Sequence, residues 1–297
     1  NFDVCICNEY SNTLMNCLSI AKTFFSKIFR VNTIFLNTSQ GGLKYLFPLL
    51  FIIAKTAKKN LVLRVFGAHA YQVVTKSYFK FILLYCIKHT DIIYLETHML
   101  INKMSKLNNN IKWLPNTRKK TSHYEKRLFS KKFIFVGDIK KSKGIYDCLS
   151  VFKELIKRDP AIKFKFYGPL NEALDKDDLS FYGGILEPRN VRKILNNCDV
   201  LVLPTYYEGE GYPGVIIESY MSGRPVITTK WKSIPEIVDN YETGILITPK
   251  CVKELEEAIL YFNKDNYSVF SKKAFRRSSE FSTEVAHNRI VNEIGLI

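Results

Sequence analysis

Two carboxylates, Glu210 and Glu218, stand eight positions apart in the segment 207–223, YEGEGYPGVIIESYMSG. Pro213 suits a first helical turn, so a helix is predicted over about 213–222. Glu218 then lies inside the helix on an apolar face, where a carboxylate is costly to bury unless it accepts hydrogen bonds. Sugar hydroxyls can donate such hydrogen bonds. Glu218 can then hold a ribose and Glu210 a hexose. Alternatively, Glu210 stabilises the helix dipole and Glu218 pairs with a basic residue.

The turn before this helix is rich in glycine. Gly209, Gly211 and Gly214 allow a ligand to approach the backbone closely. The amides of Gly211, Tyr212 and Gly214 can point at an anion at the helix start, where unpaired N–H groups favour negative charge. A diphosphate there would lie between the two carboxylates.

A second anion-binding loop is predicted in FIFVGDIKKSKGIYDCL. A strand ends at Gly137 and a helix opens at about Gly144, with Lys143 at its opening and Lys140 and Lys141 just before it. The helix start and the ammonium groups both suit phosphate oxygens. Lysine-rich loops between a strand and a helix are also common without this role.

Two other polar motifs have structural interpretations. DKDD (175–178) offers the D-x-D spacing of metal-dependent transferases, but it is interpreted as a solvated surface turn. Ser233 and Glu236 match the S-x-x-E capping box. Cys5-x-Cys7 has no partner pair of Cys or His nearby, so no metal site is predicted.

Apolar runs that alternate with helical segments of 10–15 residues indicate parallel sheets built from βαβ units. The basic segment 116–131 is the expected linker between two such layers. The predicted strands are 2–7, 61–66, 92–95, 111–114, 133–137, 164–168, 180–182, 200–203, 225–229 and 244–247. The predicted helices are 12–28, 43–58, 72–88, 97–106, 144–158, 188–196, 213–222, 233–238, 250–262 and 283–294.

The net charge of +16 lies mainly in the first half of the chain. Residues 1–127 contain 19 Lys and Arg against 5 Asp and Glu, whereas residues 128–297 contain 25 against 23. This asymmetry indicates an anionic partner, and a solvated basic surface is the alternative. Because no nucleic-acid-binding motif accompanies the charge, an anionic membrane surface is expected rather than nucleic acid.

The seven cysteines are scattered and form no C-x-x-C pair, which favours a reduced, cytoplasmic compartment. The longest apolar run, Tyr45–Ala54, has ten residues, and a membrane-spanning helix needs about 20. No transmembrane helix is predicted.

Over roughly residues 110–295 the motifs resemble glycosyltransferase family 4, the group 1 retaining transferases of the GT-B fold. Glu210 and Glu218 reproduce its E-x7-E spacing, and GEGYPGVIIESYMSGRPVI resembles the segment around it. VG followed by Lys143–Gly144 resembles its phosphate loop, and WLPN, DVLVLPT, PEIV and TGILI occur in the family's order. The resemblance implies an α/β, GT-B-like fold with two Rossmann-type, doubly wound parallel-sheet domains facing a cleft.

By this resemblance, Lys143 contacts the diphosphate of a nucleotide sugar, Glu218 the ribose and Glu210 the donor sugar. His69, in LRVFGAHAY, can bond the donor sugar or the acceptor, although a plain loop histidine is the alternative. Glu210 and His69 are the candidate catalytic residues. The candidate donor-binding residues are Lys143, Gly144, Gly211, Tyr212, Gly214 and Glu218. No cofactor and no metal are expected.

The chain departs from the family in two ways. Asp138 follows the VG glycine, where the family usually has Arg, and Lys140 or Lys141 are the candidate substitutes. The first domain is short and begins at Asn1, so its first strand–helix units are expected to be missing. The expected domains are 1–117 on the acceptor side, 118–281 for the nucleotide sugar, and a C-terminal helix in 282–297 packing back toward the first domain.

The implied function is transfer of a hexose or N-acetylhexosamine from a nucleotide sugar to a lipid-linked glycan acceptor, with retention, in bacterial surface polysaccharide biosynthesis. Capsule and lipopolysaccharide are the expected products. A nucleotide-sugar epimerase on the same fold is one alternative. A truncated, non-catalytic remnant that binds a nucleotide sugar is another.

Overall fold

A computed structural model describes residues 26, 28–120 and 124–295. The predicted strand 2–7 and nearly all of the predicted helix 12–28 lie outside these residues. The described chain divides into two compact units. The first contains the residues up to Leu95 together with Ile101–Lys112, and the second contains Glu96–Leu100 and the residues from Trp113 onward.

The first half of the chain forms a four-stranded sheet in the order β1-β2-β3-β4, in which β1 pairs parallel with β2 and β2 with β3. Its strands are β1 Thr33–Thr38, β2 Asn60–Val65, β3 Ile92–Leu95 and β4 Ile111–Trp113. Its helices are α1 Gln40–Thr56, α2 Ala70–Lys76, α3 Lys80–Lys88 and α4 His98–Met104. A 3-10 helix, Ile28–Arg30, precedes β1.

The second unit contains a five-stranded sheet in the order β6-β5-β7-β8-β9, and every neighbouring pair is parallel. Its strands are β5 Lys132–Val136, β6 Lys163–Tyr167, β7 Val200–Leu203, β8 Val226–Thr229 and β9 Gly244–Ile247. Its helices are α5 Ile145–Arg158, α6 Lys176–Leu179, α7 Pro188–Asn196, α8 Gly214–Met221, α9 Val252–Tyr261, α10 Tyr267–Arg277 and α11 Thr283–Ile294. Short 3-10 helices span Lys141–Lys143, Ile234–Glu236 and Ser278–Phe281.

The burial of each strand follows its place in this sheet. All four residues of β7 and of β8 are buried, as expected for strands covered by helices on both faces. The outermost strand β6 alternates exposed lysines with buried Phe164 and Phe166. Helix α5 lays Phe152 flat on Phe164, with ring centroids 4.1 Å apart, and so anchors the loop that precedes it.

The α/β prediction with two parallel sheets is confirmed. Strand β1 and helix α10 were not predicted, although Tyr267, Phe270 and Ala274 recur at helical spacing on the buried side of α10. The predicted helix 72–88 is two helices, since Ser77 adopts an extended backbone between them. The segment 180–182 is not a strand and contributes one isolated bridge, between Phe166 and Tyr182. No helix in 28–120 or 124–295 is long and apolar enough to cross a membrane.

Candidate functional site

The loops after β5 and β7 meet at the point where the strand order of the second sheet reverses. From β5 the chain moves outward to β6 and then returns to β7 on the other side of β5. In doubly wound sheets, ligands bind at this point, outside the carboxyl ends of the strands. The loop after β5 carries Lys143, and the loop after β7 carries Glu210. The Tyr206 amide donates to the Ser142 carbonyl at 2.8 Å and joins the two loops.

Lys143 and Glu210 form an ion pair across these loops. The Nζ of Lys143 lies 2.6 Å from Oε2 of Glu210, and their side chains are only 14% and 8% exposed. The same Oε2 accepts a hydrogen bond of 2.8 Å from the Thr205 hydroxyl. Sixty-seven positions in sequence separate the two charges, so only the fold brings them together.

Gly144 holds the first loop against the second. It adopts φ +81, in the left-handed region that favours glycine, and ends the 3-10 helix Lys141–Lys143. A Cβ at this position would overlap the backbone carbonyl of Pro204. The absence of a side chain therefore lets the residue after Lys143 pack on the chain that leads to Glu210.

Lysines and one aromatic ring surround the ion pair. The Nζ atoms of Lys140 and Lys143 lie 4.1 and 5.0 Å from the ring centroid of Tyr207. Lys140 also lies 3.4 Å from the carboxylate of Asp138, the residue that departs from the family pattern. The negative charge of Asp138 is thus offset by one of the lysines that the sequence suggested as a substitute.

The glycine turn contacts a buried carboxylate that the sequence analysis did not identify. Glu96 is 4% exposed and accepts hydrogen bonds from the Tyr212 amide, at 3.2 Å, and from the Asn116 side chain. A Cβ on Gly211 would lie 3.1 Å from Oε2 of Glu96. The Tyr212 amide, predicted to face an anion, is therefore engaged with Glu96 in this structure.

Glu236 does not form the predicted capping box. Its carboxylate accepts from the amides of His98 at 2.7 Å and Met99 at 2.8 Å, and from the Tyr212 hydroxyl at 2.5 Å. Ser233 makes no capping hydrogen bond. Glu236 therefore caps the start of α4, a different helix. Burial, and secondarily the hydrogen bond to Glu236, raise the pKa of Tyr212, which stays neutral.

Glu218 pairs with Arg118, as the alternative interpretation of its position allowed. The Nε of Arg118 lies 2.5 Å from Oε1 of Glu218, and both side chains are partly exposed. A Cβ on Gly214 would lie 2.6 Å from the guanidinium, so this glycine makes room for Arg118 at the start of α8. A cation and an anion thus stand together beside the helix N-terminus.

His69 lies in the first unit, in the loop after β2. It is half-buried directly before α2, and its Nδ1 is 3.2 Å from the side-chain nitrogen of Gln40, the first residue of α1. Both residues follow the carboxyl ends of parallel strands. The structure thus places His69 where a ligand of this sheet would bind, and its catalytic role stays a prediction.

The DKDD segment is a helix start. Asp175 caps α6 by accepting from the Asp178 amide at 2.6 Å. Asp175, Lys176 and Asp177 are exposed, as interpreted, whereas Asp178 is 8% exposed and its carboxylate lies 2.6 Å from Lys153. Across the described part of the chain, no three His, Cys, Asp or Glu side chains form a group that could hold a metal ion.

The structure brings Lys143, Gly144 and Glu210 into one site and places Gly211 and Tyr212 beside it. Thr205, Arg118, Glu96 and Glu236 were missed as members of this region. Thr205 and Glu236 lie within the DVLVLPT and PEIV motifs, which could have indicated them. Arg118 stands just after WLPN, and Glu96 stands directly after a buried strand.

Residues 130–265 match a family described as "Glycosyl transferases group 1". The capsular polysaccharide biosynthesis glycosyltransferase CapM of Staphylococcus aureus is 31% identical over 146 residues, 45% of this chain and 37% of CapM. An N-acetylgalactosaminyltransferase of Campylobacter jejuni, named as acting on N,N'-diacetylbacillosaminyl-diphospho-undecaprenol, is 29% identical over 76 residues, 26% of this chain and 20% of that protein. The chain spans less than half the length of these curated relatives.

Among solved structures, Anabaena HepE in complex with UDP superposes with a TM-score of 0.73 at 14% identity, covering 96% of this chain and 85% of HepE. This structural likeness confirms the predicted GT-B-like fold class.

Proposed function

We propose that this chain is a retaining glycosyltransferase that moves a hexose or N-acetylhexosamine from a nucleotide-diphosphate sugar to a lipid-linked glycan acceptor in bacterial surface polysaccharide biosynthesis. The observation that carries the proposal is the buried pair of Lys143 and Glu210 at the reversal of the strand order. The match of the surrounding residues to group 1 glycosyltransferases supports it.

The pair suits the two ends of an activated sugar. Lys143 stands at the opening of α5, where its ammonium and the helix amides together favour a diphosphate. Glu210 uses one carboxylate oxygen, Oε2, for Lys143 and Thr205. No described residue donates to its other oxygen, Oε1, so a hydroxyl of the donor sugar can do so.

The remaining groups suit the nucleoside and the leaving group. In the proposal, Glu218 accepts from the ribose hydroxyls, and Arg118, its partner at 2.5 Å, stays close to the diphosphate side of the helix start. Charge that develops on the leaving diphosphate is stabilised by Lys143 and by backbone amides. In this scheme no divalent metal is needed.

The relatives and the charge support the proposed acceptor and location. CapM acts in capsule biosynthesis, and the Campylobacter relative is named for a diphospho-undecaprenol substrate. The first half of the chain carries most of the net positive charge, which suits the anionic cytoplasmic face of a membrane. His69, at the carboxyl edge of the first sheet, is the proposed contact to the reacting sugars.

Calorimetry with a panel of UDP-, GDP- and dTDP-sugars tests the donor site. One nucleotide should bind, and Lys143→Ala should weaken it by about 10- to 150-fold, because a hydrogen bond to a charged group contributes about 1.5–3 kcal/mol. Lys157→Ala is the matched control, since Lys157 lies on α5, the helix that Lys143 precedes, in an exposed pair with Glu154. Binding that is absent for the whole panel, or equally affected by the control, would refute the donor site.

Incubation with the bound nucleotide sugar separates the possible activities. A glycosyltransferase needs a lipid-linked acceptor and yields a product whose anomeric configuration, read by NMR, matches that of the donor. An epimerised sugar formed from donor alone would replace the proposal with an epimerase. Binding without any product would leave only a nucleotide-sugar-binding protein.

A further inference from the structure

Helices α1 and α3 expose an unusual set of large apolar side chains. Each of them is between 50% and 94% exposed. This aromatic–aliphatic surface consists of Tyr45, Leu49 and Ile52 on α1, and Tyr78, Phe81, Ile82 and Tyr85 on and just before α3. The two helices pack together through Phe51 and Tyr85, whose ring centroids are 6.2 Å apart, so the exposed side chains belong to neighbouring helices.

The pattern on α1 explains why this surface is exceptional. Tyr45, Leu49 and Ile52 recur at intervals of four and three positions, which places them on one side of the helix. The opposite side is also apolar and is buried in the unit. A helix with apolar residues on both sides packs one side on its own core and needs an apolar neighbour on the other. Contiguous exposed apolar surface of this kind marks an interaction site.

The charge around this surface is mainly positive, although Asp91 pairs with Lys55 of α1 at 2.7 Å. Residues 28–90 contain nine Lys and Arg and no Asp or Glu. Lys44 lies 4.9 Å from the ring centroid of Tyr45, and Lys80 lies 5.0 Å from that of Phe81. Lysines beside aromatic rings can extend to headgroup phosphates while the rings enter the acyl boundary.

We infer that this surface inserts into the interface of an anionic lipid bilayer, with its aromatic and aliphatic side chains below the headgroups and the lysines at their level. Apolar side chains of helices that lie at a membrane interface are buried about 5–10 Å into the boundary between headgroups and acyl chains. The inference rests on the proposed function for its purpose, since a lipid-linked acceptor is presented at a bilayer. It goes beyond charge attraction by naming the residues that leave water.

Sedimentation with vesicles tests the surface on the full chain. Vesicles of phosphatidylcholine with about one-third phosphatidylglycerol should bind it, and pure phosphatidylcholine should bind it far more weakly. The double variant Tyr78→Ser/Phe81→Ser should lose about tenfold or more of the partitioning, because two apolar contacts with the bilayer are removed. Leu128→Ser/Ile185→Ser is the matched control, since these residues of the second unit are 86% and 71% exposed.

Fluorescence of a Phe81→Trp variant distinguishes insertion from surface attraction. Against the wild-type background of Trp113 and Trp231, the added emission should shift to shorter wavelength and be quenched by brominated acyl chains. Binding should weaken with salt, since the screening length falls from about 30 Å at 0.01 M to about 10 Å at 0.1 M. The inference is overturned if the added emission does not shift with vesicles, or if the serine variant binds vesicles as well as wild type does. Binding only to a protein partner overturns it too.

The vesicle assays contain no nucleotide sugar, so their failure is separate from failure of the proposed function. A chain that binds a nucleotide sugar, but whose Phe81→Trp variant never shows the emission shift, keeps the donor site and loses this inference. A chain that inserts but binds no nucleotide keeps the inserting surface and loses the proposed transferase.

Discussion

Replacing Glu210 with glutamine separates the two tasks proposed for its carboxylate. One task is to neutralise Lys143, whose Nζ lies 2.6 Å away, and the other is to hold the donor sugar. In the structure the Thr205 hydroxyl donates to Glu210 at 2.8 Å. Glutamine keeps the length of the side chain and an oxygen that can accept this hydrogen bond. It removes the negative charge, so the ammonium of Lys143 loses its carboxylate partner.

The expected effects on the two ligands differ in size and direction. A hydrogen bond to a charged group contributes about 1.5–3 kcal/mol, so loss of the carboxylate should weaken the nucleotide sugar about 10- to 150-fold relative to the nucleoside diphosphate. The nucleoside diphosphate lacks the sugar, and the released ammonium of Lys143 is attracted to its phosphates. Its affinity should therefore be unchanged or higher.

Stability should fall at the same time. The pair of Lys143 and Glu210 is largely buried, and breaking a buried pair costs about 3–5 kcal/mol. Glutamine keeps the hydrogen-bonding shape, so we expect a loss near the lower end of that range. Thermal unfolding gives this value and shows the temperature below which the binding measurements apply to folded protein.

Calorimetry with both ligands, at one temperature and salt concentration, measures the difference. Glu208→Gln is the matched control, because Glu208 lies on the same loop, is 75% exposed and pairs with Lys232. It should change neither affinity by more than about twofold, as expected for an exposed pair. Equal weakening of both ligands by Glu210→Gln, or the same pattern in the control, would refute a contact between Glu210 and the sugar.

Three further substitutions or treatments follow from the structure. Gly144→Ala should lower the free energy of unfolding by about 2 kcal/mol or more, because φ +81 disfavours alanine and a Cβ overlaps Pro204. Transferase activity should survive EDTA, because cationic groups and amides stabilise the leaving diphosphate. Iodoacetamide at pH 8 should spare Cys86 and Cys198 in the folded chain and label them in urea. The thiolate is the reactive form, and burial raises the pKa values of the two thiols to about 11 and about 12.

Each of these has its own control and contrary result. Gly41→Ala should not destabilise, because nothing lies within 4 Å of a Cβ there and α1 favours alanine; equal losses at both glycines would contradict the role of Gly144. Activity abolished by EDTA and restored by Mg²⁺ or Mn²⁺ would contradict metal independence. Rapid labelling of the two thiols in folded protein would contradict their burial.

Much of the second unit follows from its sequence. Runs such as VLVL and VITT are apolar enough to require burial on both faces, so their parallel pairing could be predicted without coordinates. The glycine after Lys143 and the spacing of Glu210 and Glu218 are local features of the sequence. The loops that carry Lys143 and Glu210 follow strands β5 and β7, as predicted. Strand β1 was missed because its six residues are mostly half-buried and show no clear alternation.

The ionic partners could not be predicted in this way. The pairing of Arg118 with Glu218 and the contacts of Glu96 and Glu236 join residues 100, 116 and 138 positions apart. The S-x-x-E motif predicted a local cap. The Glu236 carboxylate instead accepts hydrogen bonds from the amides at the start of α4 and from the Tyr212 hydroxyl.

The sequence by itself determined the α/β class, the loops rich in glycine and lysine, and the one-sided charge of the first half, because these depend on composition and on short-range periodicity. The tertiary structure alone decided which charge neutralises which and which apolar side chains remain in water. A short-range ion pair or an exposed helix face depends on distances of a few ångströms between segments far apart in the chain, and only the packing of the sheets and helices sets those distances.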